Sequence, residues 1–97
     1  MSTYIILGNF TQLGLKTIKK LPEALEQSQN LAKSLGGKYI QLYITMGRYD
    51  FVGIVEAPNN EAAIKALLTI GMAGTISTET LTAIPVEKAI GIIKELP

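Results

Sequence analysis

Apolar and polar residues alternate with a period of two over residues 38–46, Lys-Tyr-Ile-Gln-Leu-Tyr-Ile-Thr-Met, the spacing of a half-buried β-strand. Two other stretches, residues 3–10 and 51–57, are almost continuously apolar, as in strands covered on both faces. The period changes to that of a helix after Pro22, where Leu21, Ala24, Leu25, Ser28, Leu31, Ala32 and Leu35 recur. Glu23 and Glu26 suit the positive start of that helix, and Gly36-Gly37 ends it. Asn59 or Asn60 caps a second helix reaching about Ile70, with Ile64, Leu67 and Leu68 on its buried side. Residues 75–84 are rich in Thr and Ile and read as a fourth strand. Pro85 opens a short last helix with Val86, Ala89, Ile90 and Ile93 on one side. Residues 11–21 read as a connection.

The order β-α-β-β-α-β plus a terminal helix predicts an α+β, ferredoxin-like fold in one domain spanning residues 1–97. Its four-stranded antiparallel sheet has the first and third strands at the centre and both main helices on one face. Strict alternation puts Ile40, Leu42, Ile44 and Met46 under the helices and Tyr39, Gln41, Tyr43 and Thr45 on the open side. Met46 and Met72 are expected to fill gaps in the core.

Composition sharpens this picture mainly by exclusion. The chain has no His and no Cys, which removes His-containing triads, thiolate nucleophiles, disulfides and soft-metal sites. No cofactor is expected. A net charge of +1 and few aromatic residues speak against a nucleic-acid partner. No apolar run reaches the roughly 18 residues of a membrane span. Met1-Ser2-Thr3-Tyr4 does not read as a signal peptide, so a cytoplasmic protein is expected. Apolar residues make up 47% of a short chain, more than one small core can bury. A homo-oligomer, dimer or larger, follows as the expected state.

Diverse chemistry is concentrated at Gly47-Arg48-Tyr49-Asp50, between the second and third strands. One reading is structural: Gly47 supplies a positive φ, Tyr49 packs, and Arg48 or Asp50 satisfies the turn backbone. The other is a pocket lip with Arg48 holding an anion, Tyr49 orienting it and Asp50 acting as acid or base. Alternation sends Tyr49 and Asp50 to opposite faces, which weakens a joint catalytic role. Asp50 and Glu56 lie roughly 20 Å apart along a strand, too far for a glycosidase-type pair; Glu79 is a third carboxylate that can approach one of them. Lys16, Lys19 and Lys20 form a basic cluster, either a solvated face or an anion site with Arg48. Thr11, Tyr39, Tyr43 and Thr45 line a polar cavity on the open face or hydrogen-bond across a sheet-to-sheet contact.

At Gly47-Arg48-Tyr49-Asp50 the chain resembles the GYD-domain family. The likeness continues through Tyr4-Ile5-Ile6-Leu7, Thr11, Gly14, Leu35-Gly36-Gly37, Tyr43, Glu56-Ala57-Pro58 and Thr78-Glu79-Thr80-Leu81. The resemblance implies a small bacterial or archaeal protein of the ferredoxin-like, dimeric α/β-barrel type, and it supplies no activity or catalytic residue. Two functions remain open. One is an oligomeric binding or structural module that holds a small anionic or neutral metabolite, with Thr11, Tyr43, Arg48, Tyr49, Asp50 and Glu79 as candidate contacts. The other is a small cofactor-independent enzyme, oxygenase- or isomerase-like, using Tyr43, Arg48 and Asp50 or Glu79.

Overall fold

The computed structural model describes residues 1–97. The β-rich start of the chain forms β1 (Ser2–Phe10), and the apolar run after the signature forms β3 (Phe51–Ala57). They pair antiparallel at the centre of the sheet. The edges are β2 (Lys38–Ile44) and β4 (Ile76–Ala83), giving the order β2-β3-β1-β4. This is the expected ferredoxin-like topology.

The connection after β1 is more ordered than the sequence suggested. Thr11 caps a short helix α1 (Gln12–Lys16), its side chain accepting from Gly14 N, and a 3₁₀ turn follows at Ile18–Lys20. The main helix α2 (Leu21–Ser34) carries Pro22 in its first turn, where a missing N–H leaves no bond unmade. Gly36, at φ 82°, ends it in the left-handed region. Asn59, rather than Asn60, caps α3 (Asn60–Gly71) by accepting from Ala62 N at 2.9 Å. The last helix, α4 (Val86–Lys94), begins directly after Pro85.

Tyr4 identifies the helix side of the sheet, because its hydroxyl donates to Asn60 Oδ1 of α3 at 2.5 Å and the residue is only 3% exposed. Tyr4→Phe removes that bond and is expected to lower stability by about 1 kcal/mol. In thermal unfolding this is a fall of roughly 4–8 °C for a domain of this size; an unchanged midpoint would mean that the bond is not formed in solution.

Strict alternation fails on β2. Tyr39 pairs with Val55 and Gln41 with Ile54, leaving Ile40 as an extra, unpaired residue in a β-bulge. One added residue reverses the faces on its N-terminal side. Tyr39 therefore lies on the helix side with Val55 and Tyr4, not on the open side, while Ile40 leaves the ladder and is 45% exposed. Met46 falls beyond the end of β2 at 98% exposure, and Met72 follows α3 at 82%. Neither fills the core.

The helices stand off the sheet. Only Tyr4, Gly8, Gly14, Gly53 and Ala57 are buried, and a partly open apolar cavity of about 350 Å³ separates the two layers. The small side chains of Ala62, Ala63 and Ala66 on α3 leave room for the gap.

Candidate functional site

The signature tetrapeptide forms a tight connection whose backbone is held from both sides. Gly47 has φ 105°, a conformation that residues with a Cβ rarely adopt. Thr45 N donates to Asp50 O at 2.8 Å and Thr45 Oγ1 donates to Tyr49 O at 2.6 Å, closing the loop on itself. Asp50 then fastens it to the end of β1. Its N–H donates to Gly8 O at 2.8 Å and to Asn9 Oδ1 at 3.1 Å, and its Oδ2 accepts from Phe10 N at 2.9 Å. The ring of Phe10 packs against Phe51 with centroids 5.4 Å apart. Arg48 does not join this network: it is exposed, with its guanidinium carbon 5.7 Å from the Tyr49 ring centroid.

Thr11 continues the same fastening one residue later. Its N–H donates to Thr75 O at 3.0 Å and its hydroxyl to Gly74 O at 2.7 Å, while the hydroxyl oxygen accepts from Gly14 N at 3.1 Å. One end of the sheet thus unites the β2–β3 connection, the end of β1, α1 and the entry to β4. Thr11 and Asp50 commit their side chains to backbone partners there, whereas Tyr49 takes part through its carbonyl oxygen.

The other candidates lie on the open face. Three rows cross it in the order β2, β3, β1, β4: Tyr43–Val52–Leu7–Glu79, Gln41–Ile54–Ile5–Leu81 and Lys38–Glu56–Thr3–Ala83. The middle is apolar, and the polar residues stand at the margin. Tyr43 and Glu79 occupy opposite edges of one row, three strand spacings or roughly 14 Å apart. Glu56 is held at 3.6 Å by Lys38 in the third row, so Glu79 and Glu56 are not neighbours. The lysines are likewise dispersed: Lys16 ends α1, whereas Lys19 and Lys20 belong to the 3₁₀ turn, and all three are exposed. No group of three or more Asp or Glu side chains converges to hold a metal ion, and no helix is long and apolar enough to cross a membrane.

Sequence reasoning did not find the apolar middle of the open face, because residues of four strands build it and only the register aligns them. The cap at Thr11 was available as a signal, since Thr is a favoured residue just before a helical turn.

The sequence profile of the GYD domain matches residues 4–93, nearly the whole chain. The chain belongs to the GYD domain family. A protein of Thermus thermophilus named glutamine synthetase and cystathionine beta-lyase binding protein is 36% identical to this GYD domain over 95 residues, covering 97% of this chain and 100% of the relative. Among solved structures, FFRP-DM1 superposes with a TM-score of 0.57 at 23% identity, covering 87% of this chain and 100% of that one. A hypothetical protein of Pyrococcus horikoshii gives 0.52 at 22% identity, covering 88% and 92%. At these identities the two structures support the fold alone.

Proposed function

We propose that this GYD domain is a non-catalytic protein-binding module that works as a homo-oligomer, with the open sheet face and α4 as its contact surfaces. The carrying observation is the amount of surface left uncovered, with many large apolar residues on it. The chain exposes 7042 Å², against roughly 5,400 Å² expected of a folded monomer of this mass. A standard pairwise interface takes about 800 Å² from each partner. The excess is therefore enough for a self-contact and for a second partner.

The exposed residues lie where such contacts form. On the open face, Leu81 is 43% and Tyr43 52% exposed around a half-buried middle of Ile5, Leu7, Val52 and Ile54. An apolar centre with a polar margin is the anatomy of an interface. On α4, Val86, Ile90 and Ile93 share one side and are each between 45% and 64% exposed. The name of the Thermus relative supports metabolic enzymes, glutamine synthetase and cystathionine beta-lyase, as the second partner. The catalytic alternative gains nothing from the geometry: Asp50 holds backbone, Arg48 forms no ion pair with it, and Tyr43 and Glu79 stand on opposite edges. A small anionic or neutral metabolite at Arg48 and Tyr49 belongs to the same proposal as a modulator of these contacts.

Native mass spectrometry of the purified chain tests the reading, with and without purified glutamine synthetase or cystathionine beta-lyase. A homo-oligomer is expected, together with a further complex with one of the enzymes. Leu81→Glu places a charge in the open face without touching the helix side. It is expected to weaken self-association by at least about 2 kcal/mol, or some thirtyfold, with thermal stability of the isolated chain unchanged. A wild-type monomer at micromolar concentration would overturn the oligomer.

A further inference from the structure

We propose that the cavity between helices and sheet is a binding site for a small neutral, largely apolar molecule carrying one hydroxyl or carbonyl group. This goes beyond the protein-binding reading and does not depend on it, since the cavity lies on the opposite side of the sheet from the open face.

Three observations define the ligand. Size comes first: at about 350 Å³, the cavity is more than twice the ~150 Å³ void that takes up benzene in an engineered protein core. Two fused rings or a medium-length chain suit it, and the volume falls at the lower end of ligand sites. A void this large left empty would forfeit contact energy comparable to the whole stability of a small domain.

Charge comes second. Ile6, Leu42 and Phe51 wall the cavity from the sheet, and Leu25, Leu67 and Ile70 wall it from the helices. No Lys or Arg borders it, and the one acid that does, Glu56, turns its carboxylate to Lys38 on the other face. A carboxylate or ammonium would lose its hydration here without a counter-charge, so the ligand is neutral. Polarity comes third. Tyr4 OH is engaged with Asn60, and Ser28 Oγ with Leu25 O. The hydroxyls of Tyr39 on β2 and of Thr78 and Thr80 on β4 remain on the lining. They provide for one polar group at either edge of an otherwise apolar chamber.

Glycines on the sheet seat two of the cavity's walls, and alanines on α3 give the site its room. The Phe51 ring lies over Gly8 and the Leu42 side chain over Gly53, space that a Cβ at either glycine would occupy. Ala62, Ala63 and Ala66 leave the corresponding space on α3.

The test uses decan-1-ol and, as its charged counterpart, decanoate at pH 7, titrated by calorimetry and followed by thermal unfolding and by methyl NMR. The alcohol is expected to bind one per chain, raise the unfolding midpoint saturably and show NOEs to methyls of Ile6 and Leu67. Decanoate is expected to bind at least tenfold more weakly. Ala66→Phe, or Ala63→Leu as a second filling variant, should abolish uptake without lowering the midpoint, whereas Leu81→Glu should leave it intact. No saturable uptake, equal binding of decanoate, or NOEs confined to Ile54 and Leu81 would overturn the proposal. The NOEs decide the matter even if both filling variants fail to fold.

Discussion

Gly14→Ala is expected to destabilise the chain by more than about 3 kcal/mol, although alanine is the better helix former by about 1 kcal/mol. Gly14 is the third residue of α1 and is buried against the entry to β4. A Cβ there would lie 2.1 Å from Thr75 O, and backbone cannot swing aside as a side-chain tip can. That oxygen is also the acceptor for Thr11 N at 3.0 Å. Relief of the clash must lift α1 from β4 and break the Thr11 bonds to Gly74 and Thr75 together. At roughly 4–8 °C per kcal/mol for a domain of this size, the midpoint falls by more than about 12 °C, or the chain fails to fold. Gly91→Ala is the control. Gly91 sits inside α4 with nothing within 4 Å of its added Cβ, and its replacement is expected to be neutral or to stabilise by up to about 1 kcal/mol. Equal effects at the two positions would mean that α1 is not docked on Thr75.

Asp50→Ala carries the second large effect. Oδ2 of Asp50 is the acceptor for Phe10 N at 2.9 Å, and both residues are half-buried. A hydrogen bond to an ionised acceptor contributes about 1.5–3 kcal/mol, and its removal leaves the N–H of Phe10 without a partner. A loss near 2 kcal/mol, or roughly 8–16 °C, is expected on heating or in urea. Asp50→Asn separates the roles, because an amide oxygen still accepts from Phe10 N without the charge. That variant is expected to retain most of the stability and all of its partner binding. A stable Asp50→Asn chain that had lost binding would move Asp50 from scaffold to function.

These two positions show why the fold was more legible than the site. The period of two before the signature, the continuous apolar run after it, the helical spacing after Pro22 and the β-branched run before Pro85 each depend on neighbours within a few residues. Element order follows from them, and with it the topology. The role of Asp50 depends on Phe10, forty positions away, and that of Gly14 on Thr75, sixty-one away; no local pattern encodes either contact. Tyr39 fails for a different reason. Alternation is unbroken from Tyr39 to Met46, only Lys38 is out of step with it, and the extra residue at Ile40 is located only when β2 is matched to β3. The open face is a property of register as well: Leu7, Val52, Ile5, Ile54 and Leu81 meet because three antiparallel pairings bring them into adjacent rows.

The bulge at Ile40 makes the two rims of the sheet unequal. A foreign strand approaching β2 finds the regular spacing of N–H and C=O groups interrupted, and sheet growth halts where donors and acceptors fall out of step. β4 runs without a break from Ile76 to Ala83, already in regular register with β1. The molecule is therefore polarised along the direction in which ribbons lengthen, closed to recruits on the β2 side and open to them on the β4 side. Copies joined rim to rim would have to use β4 from both, and such a pair, once formed, leaves only the two interrupted rims outward and stops at two.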